Sequence, residues 1–385
     1  ILRKLIVEHK INKVVVMWDG ERSGTLRLDY YPEYKGNRAK YFDESYEFQK
    51  IRVKQYAEDL FIRQYEHIDV ESDDLMAYYC LNKNKNEDII IYTNDHDICQ
   101  LINEDISIYL ADKKAIVGTG NYGWYFKHHY KNAGLIKIIE GCQSDHIKGV
   151  IGVTENTLIL HFPELKEKEV TLNEIIEKSK ILQKERGKKP LKIFDNIIEG
   201  KSNGTHRGPM YEINNKIINL KQPLLTNEAL ENVLNLISLP IDPEGRNQKN
   251  VLKMMIEDGV IYAIPGGENG YIGFMEPYIK LSKKEKLKFK NYKICQRFFS
   301  VKKYNPKVIR SLELVECLNY VVSLIENDLK LKSMDYLYSQ YNQYKIQKTE
   351  DVVVENIYEN EDVFDFEIRI DDKPIATKRF SGNVY

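Results

Sequence analysis

Ile89-Ile90-Ile91-Tyr92-Thr93-Asn94-Asp95-His96-Asp97 runs from an apolar stretch straight into paired aspartates. A continuous apolar run rich in β-branched residues predicts a strand buried on both faces, as in a parallel sheet covered by helices. The same pattern stands upstream, where Val14-Val15-Val16-Met17-Trp18 stops at Asp19-Gly20, and again from Ile106 to Leu110. The stretch between about 46 and 66 has helical spacing. So does Glu71 to about Asn82, apolar at Leu75, Met76 and Tyr79. Strands alternating with helices imply an α/β fold with a parallel sheet and crossover connections.

Acidic residues fall at equivalent places in this scheme. Asp19 ends one strand, Asp95 and Asp97 end another, and Glu71, Asp73 and Asp74 open a helix. In an open parallel sheet the carboxyl ends of the strands share one edge, where ligands bind. Any one cluster alone is ordinary turn or helix-start chemistry. Three at one edge repel one another unless cations neutralise them. Carboxylate oxygens select hard ions such as Mg²⁺ or Mn²⁺, and two such ions suit phosphodiester hydrolysis.

Two further stretches carry candidate chemistry. Between the first acidic sites lie Arg22, Arg27 and Tyr30-Tyr31-Pro32-Glu33-Tyr34-Lys35-Gly36-Asn37-Arg38, a basic and aromatic loop. Cations beside a metal site hold a phosphate, and tyrosines such as Tyr34 stack on unpaired bases. Gly141 to Val153 joins two predicted helices through Lys148, Gly149 and Gly152, and Thr154 is placed to cap the second helix. Such a turn can present amides to a phosphate, and Asp145 within it is placed to reach the acidic edge.

The remainder is less informative. Among the 385 residues 42% are hydrophobic, and the formal net charge is −1, so the chain is globular without bulk basic character. The five cysteines form no Cys-x-x-Cys pair, which opposes a disulfide framework or zinc ribbon and suits a reducing cytoplasm. No apolar run is long enough to span a membrane, and no secretory signal opens the chain. Residues 178–208 are rich in Lys, Gly and Asn and read as a basic mobile insertion; helical periodicity resumes over 215–260. Beyond the break at Pro265-Gly266-Gly267 come a lysine run (Lys283 to Lys290), a long helix from about Pro306 to Leu329, and a β pattern. That pattern runs from Phe364 to Ile370, turns at Asp371-Asp372 and returns through Ile375 to Phe380.

Trp18-Asp19-Gly20 followed by Tyr31 to Arg38, then Glu71-Ser72-Asp73-Asp74, Thr93 to Asp97 with Gln100-Leu101, and Gly141 to Gly152 resemble, in order and spacing, motifs of bacteriophage and bacterial 5′-3′ exonucleases. Pro223-Leu224-Leu225-Thr226 is similar to that family's closing segment, so the resemblance covers residues 1 to about 260. It implies a PIN-like parallel sheet with flanking helices and a helical arch, a helix–three-turn–helix subdomain, and an additional α+β C-terminal region. The expected division is 1–132 for the nuclease domain, with the arch at about 21–66; 133–262 for the duplex-gripping subdomain; and 263–385 for the extension.

The resemblance further implies two divalent cations. Asp19, Glu71, Asp73 and Asp95 would hold the first, with Asp74 beside them, and Asp97 and Asp145 the second. Lys35, Arg38 and Arg27 would serve the scissile phosphate. Arg22, Tyr34, Lys148, Gly149, Gly152 and Thr154 would contact DNA, with K⁺ at the glycine turn. The expected substrates are DNA 5′ flaps and ends and RNA–DNA hybrids, in phage replication within the host cytoplasm, with a replication protein docking on the C-terminal region. Two departures stand out. Cys142 occupies a position where the family usually has another aspartate, and thiolate suits Mg²⁺ poorly. The family's first strand, with its own aspartate, has no counterpart after Ile1, so upstream residues are expected. Without them, a binding-only relative that scaffolds branched DNA is the rival expectation.

Overall fold

The computed structural model describes residues 1–37, 44–187, 189–203, 209–300, 352–360, 363–370 and 373–381. Arg38, Lys188, residues 204–208, the predicted 306–329 helix and the Asp371-Asp372 turn lie outside these. In chain order the first elements are α1 (Leu2–Glu8), β1 (Val15–Trp18), α2 (Thr25–Leu28), α3 (Glu44–Asp59), β2 (Arg63–Glu66), α4 (Ser72–Leu81), β3 (Ile89–Thr93), β4 (Ile106–Leu110) and β5 (Ala115–Val117). There follow α5 (Ala133–Glu140), the two-residue strands β6 (Gly141–Cys142) and β7 (Ile147–Lys148), α6 (Glu155–His161), α7 (Leu172–Arg186), α8 (Lys192–Glu199) and α9 (Tyr211–Ile218). The last are α10 (Asn227–Ser238), α11 (Gln248–Glu257), α12 (Gly267–Ser300), β8 (Val352–Asn360), β9 (Val363–Ile370) and β10 (Lys373–Ser381). The fold is mixed α/β. It divides into two compact units, one comprising Lys13–Glu58 and Ile62–Ser238, the other Ile1–Asn12, Asp59–Phe61 and Leu239–Tyr385.

In the larger unit β1 pairs with β2 in parallel, Val15 opposite Arg63 and Trp18 opposite Glu66. β3 pairs with β4 in parallel, and β5 closes that sheet antiparallel. Residues Ile106, Ile108 and Leu110 of β4 point into one core with Ile91, Ile98, Leu101 and Val117, following the two-residue period of a strand. Val15 and Met17 of β1 pack instead with Val70, Leu75, Tyr79, Ala229 and Val233. The expected double-sided burial holds only in part. The residues of β1 are half-buried, and Tyr92 of β3 is exposed and stacks on Tyr109. Trp18 lies across the strand from Met17; its indole N–H donates to Gln64, and Lys54 lies over its ring.

Two sequence expectations are corrected. The helical stretch ends at Asp59, not near 66, because Phe61 takes a left-handed φ of 59° and Arg63 to Glu66 then pair with β1. Pairing with a neighbouring strand overrides the helical look of Arg-Gln-Tyr-Glu. Residues 178–208 are not a loop over their described part, since α7 and α8 occupy much of it. Thr171 and Glu174 form a reciprocal capping box at the start of α7, and Phe194 and Ile197 of α8 are fully buried beside Ile175, Leu158 and Phe162. Lysines on the outer faces hide that apolar spacing; Lys178, for instance, pairs with Glu164 at 2.7 Å.

In the smaller unit the lysine run lies on α12. Arg3 of α1 donates to the Phe274 carbonyl at 3.0 Å and covers its ring. The terminal strands form an antiparallel sheet of order β10-β9-β8, with Phe364 opposite Phe380. The expected hairpin is present, and β8 is an addition the sequence did not suggest. Among the described residues no helix is long and apolar enough to cross a membrane.

Candidate metal and phosphate site

Asp19 follows β1, and one oxygen of its carboxylate accepts both the Ser72 N–H and the Ser72 hydroxyl at 2.8 Å. That pair of bonds ties the end of β1 to the first turn of α4, one residue before Asp73. Asp95 follows β3 and accepts the Asp97 N–H at 2.8 Å, which starts the short helical turn His96–Leu101. These carboxylates feel one another. Burial, then Asp95, Asp19, Glu71 and Asp74, push the Asp73 carboxyl up to about 7. Asp95 is raised by burial and by Asp97. Asp19 and Asp95, from two other segments, thus lie close enough to Asp73 to raise its carboxyl, and the three line one acidic edge.

Glu71 and Asp74 sit differently. Both are buried, and Arg27 (5% exposed) bridges them. Its guanidinium grips both oxygens of Asp74, reaches Glu71 at 2.7 Å and donates Nε–H to the Ile217 carbonyl at 2.8 Å. Asp74 also accepts the Leu224 N–H at 3.0 Å. Burial opposes the Arg27 charge, but Asp74 and Glu71 outweigh it and hold its pKa above the usual arginine value. The Tyr34 hydroxyl donates to Glu71 at 2.9 Å and its ring is 5% exposed. Lys35, at φ 52°, places its ammonium on the same carboxylate. Three expectations change as a result. Arg27 faces two carboxylates instead of a phosphate, Asp74 is occupied by Arg27 and an amide instead of a metal, and Tyr34 has no free face for a base. Arg22 is exposed and pairs with Asp69 at 2.9 Å.

A second group lies beside the β6–β7 hairpin. One donor atom each from Asp97, Cys142 and Asp145 lie within 4.8 Å of one another. Lys137 reaches Asp97 at 2.8 Å. Cys142 is 6% exposed; its sulfur is 3.1 Å from the Ser144 hydroxyl, and burial pushes the thiol up. Lys137 was missed in the sequence. Its signal was a lone lysine inside Leu135-Ile136-Lys137-Ile138-Ile139. The hairpin is also fastened to the basic loop, because the Lys35 N–H donates to the Asp145 carbonyl at 2.8 Å. Tyr31 and Tyr34 share an apolar cluster with Cys142, Ile147, Met210, Ile217 and Ile218.

The glycine turn is sterically determined. A Cβ on Gly149 would stand 1.9 Å from the Glu140 carbonyl oxygen, whereas Gly152 has φ 75° and open space around it. Lys148 is half-buried and pairs with Gly141 across the hairpin. Thr154 caps α6 through a reciprocal exchange with Thr157. Gly149→Ala is expected to cost about 3 kcal/mol by overpacking. Gly152→Ala should cost about 1–2 kcal/mol through its backbone conformation alone. Thermal denaturation of both variants checks the order; equal losses would contradict it.

Residues 1–129 match the model of the family described as 5′-3′ exonuclease, N-terminal resolvase-like domain. The chain is similar to the 5′-3′ exonuclease of Bacillus subtilis, 31% identical over 179 residues, which cover 44% of this chain and 57% of that protein. It is also similar to the DNA polymerase I of Chloroflexus aurantiacus, 29% identical over 185 residues, 46% of this chain and 19% of the polymerase. The match therefore spans little more than half of the first relative and a fifth of the second. Among solved structures, the phage T5 5′-exonuclease with divalent zinc ions bound aligns at a TM-score of 0.43 and 16% identity, over 66% of this chain and 86% of that one.

Proposed function

We propose that this chain is a metal-dependent 5′-nuclease of the flap-endonuclease type, hydrolysing phosphodiesters in DNA with 5′ flaps or ends. The observation that carries the reading is the convergence of Asp19 after β1, Asp95 after β3 and Asp73 on α4, where Asp95 and Asp19 add to burial in raising the Asp73 carboxyl to about 7, within a segment that matches the 5′-3′ exonuclease N-terminal domain family. The donors there are all oxygen, the chemistry a hard divalent ion such as Mg²⁺ or Mn²⁺ selects, with Glu71 adjoining, although their oxygens are not gathered within 4.8 Å of one another as those of Asp97, Cys142 and Asp145 are. Such an ion, when bound, supplies an activated water and charge neutralisation at the phosphate. Asp97 and Asp145 belong to a second seat. The chain's own residues do the rest. Lys35 stands at the edge of the acidic group and, with Arg38, orients the scissile phosphate. The turn at Gly149 to Gly152, capped by Thr154 and adjoining Lys148, holds duplex backbone, with K⁺ as a bridging ion. In this reading the larger unit is the PIN-like domain with its arch and helix–three-turn–helix element. RNA–DNA hybrids, a role in phage replication and a replication partner on the C-terminal sheet extend the same reading.

Cleavage of a 5′-labelled flap duplex by the full chain, with Mg²⁺, with Mn²⁺ and with chelator, tests it. Metal-dependent product near the junction is the expected result. Lys35→Ala should lower kcat about 100- to 1,000-fold, as for loss of one preorganised donor to a developing charge. The rival, a binding-only relative, is favoured by Cys142 in the second seat and predicts tight flap binding with no product in either metal.

A further inference from the structure

We propose that Asp97, Cys142 and Asp145 form a cation seat selective for thiophilic divalent ions, Zn²⁺ or Co²⁺, over Mg²⁺. The inference deepens the nuclease reading by naming the ion of its second seat. The three donors come from different segments: the turn after β3, the first strand of the hairpin, and the hairpin loop. Their mutual separation, within 4.8 Å, suits one ion with metal–oxygen bonds of about 2.1 Å and a metal–sulfur bond of about 2.3 Å. Three protein donors leave an open position for water or a phosphate oxygen.

Two arguments fix the ion's class. Mg²⁺ demands near-octahedral oxygen ligation and binds thiolate poorly, whereas Zn²⁺ and Co²⁺ accept mixed sulfur and oxygen donors. The charge also closes. Two carboxylates and one thiolate carry three negative charges, and a divalent ion together with the Lys137 ammonium, 2.8 Å from Asp97, carries three positive ones. As the sulfur–metal bond forms, the thiol proton leaves to solvent. Cys80 and Cys99 offer nothing comparable. Both are packed in an apolar core, and among the described residues only the Cys142 group brings three such donors together.

The test is a Co²⁺ titration of the full chain in excess Mg²⁺, which fills the all-oxygen site. It is read by the thiolate-to-cobalt charge-transfer band and by calorimetry. Wild type should show the band with tight binding; Zn²⁺ should displace it and millimolar Mg²⁺ should not. Cys142→Ser, nearly isosteric, should lose the band and bind Co²⁺ at least tenfold more weakly. Cys142→Asp should lose the band and gain Mg²⁺ affinity. Co²⁺ binding without a band, a band that survives in Cys142→Ser, or displacement by Mg²⁺ would each overturn the proposal, and the wild-type competition needs no variant to fold. Flap cleavage measured in parallel separates the two ideas. A band without cleavage in any ion overturns the nuclease and leaves the seat; Mg²⁺-driven cleavage without a band does the reverse.

Discussion

Asp73→Asn should abolish flap cleavage while making the metal-free protein more stable at neutral pH. The loss of activity should be at least about a thousandfold, because a ligand of the activating ion supplies several kcal/mol of transition-state stabilisation. The gain in stability follows from proton linkage. The Asp73 carboxyl is raised from 3.8 to about 7 in the folded chain, chiefly by burial and then by Asp95 and Asp19. A raised carboxyl contributes stability that is fully present below the unfolded pKa and is lost as pH rises through the folded one. The window is therefore about pH 4 to 7, and the total loss is on the order of 4 kcal/mol. Asparagine does not ionise and escapes it. In chelator, the variant's advantage over wild type should be about 2.5–3 kcal/mol larger at pH 8 than at pH 5. Denaturation at the two pH values checks this; a gap independent of pH would count against the crowded acidic edge.

Arg27→Met is expected to destabilise the chain by about 3–5 kcal/mol, the usual cost of stripping one partner from a buried ion pair. The guanidinium joins Asp74, Glu71 and the Ile217 carbonyl, and each of the three loses one donor at once. Lysine cannot restore the two-pronged grip on Asp74, so Arg27→Lys should recover only part of the loss. Adding Asp74→Asn to Arg27→Met should recover some stability by removing one orphaned charge. An arginine held at the surface for a phosphate would behave differently: its removal would weaken substrate handling and leave denaturant midpoints nearly unchanged. A loss under about 1 kcal/mol in urea unfolding would therefore return Arg27 to the phosphate.

The strands of the larger unit were legible because their apolar runs are short, β-branched and stopped by aspartates. Val15–Trp18, Ile89–Thr93 and Ile106–Leu110 lie where those runs predict. The placement of Asp19 and Asp95 after strands and of Asp73 at a helix start was legible for the same reason, since strand ends and helix starts are fixed by local sequence. What was not legible depends on partners distant in the chain. Nothing local says that Tyr34 turns inward to Glu71, or that Asp74 is claimed by Arg27, 47 residues earlier. Arg63 to Glu66 is polar and becomes a strand only because β1 lies beside it. In α7 and α8 the abundance of lysine masked Ile175, Phe194 and Ile197, whose helical spacing is regular once the charged faces are set aside.

One apolar cluster joins Tyr31 and Tyr34 of the basic loop to Cys142 and Ile147 of the hairpin, and the Lys35 and Asp145 backbones are hydrogen-bonded at 2.8 Å. On the proposed reading, the turn that would grip a duplex is thus packed directly against the loop that would face its scissile phosphate. If the proposed nuclease reading holds, such packing would act as a gauge: the number of nucleotides from grip to scission would be set by its dimensions, and Tyr31→Ala should broaden the product lengths on a sequencing gel before it slows the cut.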